Sequence, residues 1–218
     1  MINLIAKDCF IGSRECNDDY CYFFCDGDCV FAMVIDAYKN GSSLKSYVGA
    51  FFEEYFLNVN GRGFIFSDIK KDISNFFDKG FDGFSVGCCL SFYFQLGVNA
   101  IAGTIGDTRI YWLSKSERTT DDSAAQDLCA KGMLSPHKIR FHPYRRYVKK
   151  SIPTQKLSVM DVDFLAKGQF IFLCSDGFWS QFDDQDIFRI RTKNELDEII
   201  QSVSVWSDNA SFILFGMN

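Results

Sequence analysis

The chain has 218 residues, 47% of them hydrophobic, with 23 Lys and Arg against 28 Asp and Glu for a net charge of −5 and only 3 Pro. A chain of this length buries roughly 70% of its unfolded surface, so it can hold a core without staples. The composition excludes disorder, collagen-like repeats and coiled coil, and the acidic balance disfavours wholesale binding to nucleic acid or anionic membranes. No repeat, low-complexity tract or linker divides residues 1–218, which read as a single domain.

The N-terminal Met1-Ile2-Asn3-Leu4 carries no apolar run long enough for a signal sequence. Nor does any later stretch approach the ~20 apolar residues of a membrane span, so a cytoplasmic protein is expected. The 9 cysteines are odd in number, Cys88 and Cys89 are adjacent, and none forms a CxxC pair. They read as reduced, mostly buried thiols rather than a disulfide framework or a zinc site.

The first forty residues read as strands, with 20–25 (YCYFFC) and 29–36 (CVFAMVID) joined by Asp26-Gly27-Asp28. That tripeptide is a hairpin signal, and it outweighs a metal loop because no further ligand-spaced acids follow. Leu44, Tyr47, Val48, Phe51, Phe52 and Tyr55 then make one helical face. Ser67 is placed to cap a second helix with Ile69, Ile73, Phe76 and Phe77 inside. Strand-like runs follow at 84–94, 96–105 and 108–113, a polar and less regular stretch at 115–153, and more strand-like runs at 155–160 and 168–174. Thr192 and Glu195 form a capping box before a helix with Leu196, Ile199, Ile200 and Val203 inside, and 211–215 (SFILF) is a last strand. An α+β fold of two packed antiparallel sheets with helices on the outer faces satisfies every apolar face.

Asp19 precedes a strand, Asp36 and Asp176 end apolar runs, Asp107 follows NAIAGTIG, and Asp208 precedes the last strand. Singly, each reads as a turn or cap residue. Together, if the strand ends converge, two carboxylates about 6 Å apart repel by roughly 3 kcal/mol at an effective dielectric near 20. Such a cluster must take up protons or cations, and an oxygen-only set selects Mg²⁺ or Mn²⁺. His137 and His142 are five apart, on different helical faces, and are poor ligand candidates.

Several segments in order resemble the motifs of the metal-dependent Ser/Thr protein phosphatases, the protein phosphatase 2C family, in its compact bacterial form. Arg14-Glu15-Cys16-Asn17-Asp18-Asp19 is similar to R-x-x-N-E-D, and Val34-Ile35-Asp36-Ala37 to V-x-D-G. Gly83-Phe84-Ser85-Val86 resembles G-S/T-T, and Gly106-Asp107-Thr108-Arg109 resembles G-D-S-R. Asp122-Ser123 with Gln126, Asp127 and Gly132 follows D-H-S…G without its His. Cys174-Ser175-Asp176-Gly177-Phe178-Trp179 is similar to S-D-G-L-W, and Asp208-Asn209-Ala210-Ser211 to D-N-A-T.

The resemblance implies a four-layer α/β/β/α sandwich and hydrolysis of phosphoserine and phosphothreonine in a phosphorylated protein substrate, opposing a Ser/Thr kinase in signalling. It implies that Asp19, Asp36, Asp176 and Asp208, with the backbone carbonyl of Ala37, hold two Mn²⁺ or Mg²⁺ ions. Asp107 with Asp176 would favour a weak third. Arg14 would grip the phosphate, and Asp18 would act through the water on the metals. A hydroxide bridging the two ions would attack phosphorus in line, with no phosphoenzyme.

The loop Asp36-Ala37-Tyr38-Lys39-Asn40-Gly41 departs from the family's D-G-H/M-G-G, and Ser180 stands where an acid often follows the Trp. Lys39 puts a cation near the metals, where a weakened site is expected, although it could equally point to solvent or toward the phosphate. These departures keep a pseudophosphatase, binding a phosphoprotein without turnover, as the alternative. Lys138, Arg140, Arg145, Arg146, Lys149 and Lys150, interleaved with Phe141, Tyr144 and Tyr147, read first as a solvated structural segment. A docking surface for an acidic or phosphorylated partner comes second and nucleic acid last.

Overall fold

The computed structural model describes residues 1–38, 41–60, 65–79, 87–152 and 154–217, without the side chains of 41–45, 57–60 and 79. Lys39, Asn40 and the segment Gly83–Val86 therefore lie outside the described residues, as does the side chain of Leu44.

The chain opens with β1 (Ile2–Phe10), β2 (Asp19–Asp26) and β3 (Cys29–Ala37), the last two paired antiparallel across Asp26 and Cys29. Gly27, at φ +57, makes the tight turn, so Asp26-Gly27-Asp28 is a hairpin end. Helices α1 (Gly41–Asn60) and α2 (Phe66–Lys79) follow. Ser67 does not cap α2: the Ile65 carbonyl accepts from the amides of Asp68 and Ile69, and Ser67 lies inside the first turn.

Next come β4 (Cys88–Leu96), β5 (Asn99–Ile105), β6 (Arg109–Trp112) and β7 (Glu117–Arg118). The polar stretch holds α3 (Ala124–Ala130) and two 3₁₀ turns, Pro136–Phe141 and Pro143–Arg146. β8 (Ser158–Val162) lies later than the run expected at 155–160, because Gln155 is still in a turn bonded to the Ser151 carbonyl. β9 (Phe170–Cys174), the short helices α4 (Asp176–Trp179) and α5 (Asp184–Ile187), α6 (Lys193–Gln201) and β10 (Ala210–Met217) complete the chain.

Two five-stranded antiparallel sheets result, ordered β1-β10-β9-β6-β7 and β2-β3-β4-β5-β8. The apolar residues divide into three cores. Val30, Ala32, Val34, Tyr93, Leu173, Ile213 and Phe215 fill the space between the sheets. Phe31, Met33 and Phe92 face α1 and α2 through Phe52, Phe56, Ile73 and Phe77. Phe172, Phe212 and Leu214 face the helices of the other side through Phe178, Ile187 and Leu196. β3 is buried on both faces because one faces its partner sheet and the other a helical layer. The architecture is the expected α/β/β/α sandwich. Among the described residues no helix is long and apolar enough to cross a membrane.

Candidate active site

A cleft of about 900 Å³ opens at one end of the sandwich, lined by Arg14, Asp18, Asp36, Ala37, Tyr38, Asp107, Arg146, Val148, Asp176, Asp208 and Asn209 among others. The topology explains the convergence. Asp19 starts β2 directly opposite Asp36 near the end of β3. Asp107 lies in the turn between β5 and β6, Asp176 opens α4 just after β9, and Asp208 leads into β10, which pairs with β9.

Close backbone packing fixes these turns. Gly106 has φ +89, and a Cβ there would stand 2.2 Å from Cys89 Sγ. A Cβ on Gly177 would stand 1.8 Å from the Asn209 carbonyl oxygen, so the glycine after Asp176 lets α4 abut the lead into β10.

Asp19 lies at the bottom, 2% exposed. Its Oδ2 accepts from Ser175 Oγ at 2.7 Å. The Ser211 hydroxyl approaches as well, but hydrogen-bond geometry is not met, and Asp19 Oδ1 and Ser211 Oγ are both buried without partners. Burial, with the charges of Asp176 and Asp208, pushes the Asp19 carboxyl up to about 7 against the two serines' opposing effect. Burial first, then Asp19, Asp176, Asp107 and Asp208, pushes Asp36 well above the carboxylate range. Asp107 is raised similarly by burial and Asp176, with the nearby Cys89 thiol and Arg109 opposing. Asp176 is raised chiefly by burial, with the charge of Asp208 adding and Arg145 opposing.

Two arginines meet part of this charge. Arg14 donates to Asp208 through Nε and Nη2, both at 2.7 Å. Arg145 donates from Nη1 to Asp176 Oδ2 at 2.6 Å, with side chains only 12% and 15% exposed. Arg145 thus leaves the solvated segment anticipated from its sequence and points into the acidic cluster. His142 serves its own turn, accepting from the Tyr144 amide at 3.2 Å. Ser180 caps α4, donating its amide to the Asp176 carbonyl.

Three further residues of the phosphatase-like segments, Asn209, Arg109 and Trp179, support the site. The Asn209 side chain donates to the carbonyls of Ile11 (2.8 Å) and Cys16 (3.0 Å) and accepts from the Asp18 amide (2.9 Å). It thereby fastens the Arg14–Asp18 loop to the lead into β10. Arg109 is buried against Trp179, 3.4 Å from the ring centroid, and forks onto both oxygens of Asp121 at 2.7 Å. Trp179 in turn donates Nε1 to the Asp107 carbonyl at 2.8 Å.

The cleft brings Arg14, Asp18, Asp36, Ala37, Asp107, Asp176 and Asp208 to its wall, with Asp19 just beneath. Among the described residues no three such side chains converge tightly enough to make a ready metal site. The donor chemistry nevertheless fits hard divalent ions: five carboxylates, Asp19 and Asp107 buried and Asp36, Asp176 and Asp208 half-buried, outnumber the two arginines, and one carboxylate oxygen has no partner.

No family model and no curated protein matches the sequence. Solved structures do match. The Mycobacterium tuberculosis serine/threonine phosphatase PstP/Ppp aligns over 100% of this chain and 99% of its own, with 19% identity and a TM-score of 0.77. The PPM Ser-Thr phosphatase MsPP from Mycobacterium smegmatis, in complex with cacodylate, aligns over 100% and 98%, with 19% identity and a TM-score of 0.73. The catalytic domain of serine threonine protein phosphatase PstP, in complex with 2 manganese ions, aligns over 100% and 99%, with 16% identity and a TM-score of 0.73. The chain therefore has the fold of the PPM, or protein phosphatase 2C, serine/threonine phosphatases along its full length.

Proposed function

We propose that residues 1–218 form a single catalytic unit, a metal-dependent phosphoprotein phosphatase that hydrolyses phosphoserine and phosphothreonine monoesters. The observation that carries this reading is the buried, under-compensated aspartate cluster at the cleft of a phosphatase fold. Asp19, Asp36, Asp176 and Asp208, with the Ala37 carbonyl, would hold two Mn²⁺ or Mg²⁺ ions, and Asp107 with Asp176 a weaker third. Two manganese ions in a neighbour of the same fold support that assignment. When bound, such ions neutralise phosphate charge and acidify water into a nucleophile near neutral pH.

The chain's own residues do the rest. Arg14 stands at the mouth, 59% exposed, and its planar fork turns from Asp208 to the phosphate oxygens. Asp18, on the cleft wall, orients the attacking water by accepting its hydrogen bond. Water oxygen bonds to phosphorus as the bond to the Ser or Thr oxygen breaks in line, and one proton of the water ends on that departing hydroxyl, so no enzyme side chain is phosphorylated. The buried thiols agree with that assignment, because burial raises Cys89 and Cys174 well above the ordinary thiol range and leaves poor nucleophiles.

The substrate class is a phosphorylated protein, placing the chain opposite a Ser/Thr kinase in signalling. All nine cysteines are free, which suits a reducing compartment such as the cytoplasm. Phosphate release from phosphoserine and phosphothreonine peptides, with Mn²⁺ or with a chelator, tests the reading. Release only with the metal is expected, and equal release in chelator would overturn it.

A further inference from the structure

We infer that Arg145 is a built-in counter-ion of the acidic cluster, occupying Asp176 until a divalent ion displaces it, so that ion uptake frees the Arg145 side chain. The inference deepens the proposed metal-dependent reading and rests on it. Asp176 is already engaged by Arg145, and the neighbouring Asp36 and Asp208 carboxylates repel it. An ion arriving at Asp176 would face a guanidinium a few ångströms away in a poorly solvated pocket, where like charges repel strongly.

The manner in which Arg145 is held marks it as removable. Arg109, a buried arginine behind the cleft, forks onto Asp121, bonds Tyr111 and Asp184, and stacks on Trp179. Among the described residues the Arg145 side chain makes one hydrogen bond, to Asp176, and only a longer cation–π contact, 5.7 Å from the centroid of the same ring. Its backbone lies on the short 3₁₀ turn Pro143–Arg146, beside exposed Tyr144 and Tyr147. Arg146 and Val148, immediately after it, line the cleft. Releasing Arg145 therefore alters the wall where substrate must lie and leaves a second cation there for an anionic ligand.

Calorimetric titration of Mn²⁺ into the metal-free full chain tests this without an activity readout, using the parent, Arg145→Lys and Arg145→Gln. Lysine keeps a charge but loses the fork, and glutamine loses the charge. The expected order of Mn²⁺ affinity is parent, then Arg145→Lys, then Arg145→Gln tightest, by about tenfold or more over the parent. The melting temperature of the metal-free protein should fall in the same order. If Arg145→Gln does not stay folded without metal, the parent and lysine forms alone decide the direction. A flat series, a reversed series, or no Mn²⁺ uptake by any form overturns the inference. The reversed series is what results if Arg145 instead holds Asp176 in a ligating pose. Uptake in the expected order without phosphate release would uphold the counter-ion and sink the phosphatase reading.

Discussion

Arg14 is held at the mouth of the cleft by Asp208. In the metal-free cluster the arginine forks onto both carboxylate oxygens, and the same fork matches two oxygens of a phosphate. Replacing Arg14 with Ala should lower kcat/KM on a phosphothreonine peptide about ten- to over a hundredfold, the weight of a hydrogen bond between charged groups. A kcat/KM equal to the parent's would remove Arg14 from the phosphate site. Asn209 makes a different contribution, since its three side-chain hydrogen bonds tie the Arg14 loop to the strand that follows. Asn209→Ala should cost about 1–3 kcal/mol in urea unfolding, because partly buried backbone groups lose partners; an unchanged midpoint would mean the loop is held otherwise. The aspartates were legible in sequence because each stands at the end of an apolar run. Arg145 was not, because a basic, aromatic segment has no period that tells an inward side chain from its solvated neighbours.

The helices and strands divide in the same way. The capping box before α6 was readable from Thr192 and Glu195 alone, and both of its bonds are present. Ser67 carried a similar signal before α2, yet the helix starts one residue earlier and the serine caps nothing. The pair makes a sharp test by thermal unfolding. Thr192→Ala should lose about 1 kcal/mol and Ser67→Ala no more than about 0.5 kcal/mol, with equal losses contradicting the assigned boundaries. The short helices α4 and α5 left no trace in the sequence, since four residues cannot display a helical period. β8 was misplaced because its bounds are set by pairing with β5, a long-range choice that local composition does not record.

At the scale of the whole molecule, the sandwich brings strand ends together that are far apart in sequence, and the resulting charge makes stability depend on pH. Asp19 titrates near 7 in the folded chain against 3.8 ordinarily, so the native state binds more protons than the unfolded one between about pH 4 and 7. Stability of the metal-free protein is then greatest below that window and falls as pH rises through it. Asp36, Asp107 and Asp176, also raised, add in the same direction. Melting temperatures in chelator should decline from pH 5 to 7.5, and Mn²⁺ should flatten the decline; a rise over that window would refute the charge assignment.

Asp176 is the shared carboxylate of the cluster, paired with Arg145 and set on the cleft wall. Phosphate release from a phosphothreonine peptide should be measured at saturating Mn²⁺ for the parent and for Asp176→Asn, with circular dichroism confirming that both are folded. A loss of at least about a hundredfold, equivalent to roughly 2.7 kcal/mol of transition-state stabilisation, is predicted. Equal rates in the two folded proteins would contradict the assignment of this cluster as the centre of a metal-dependent phosphatase.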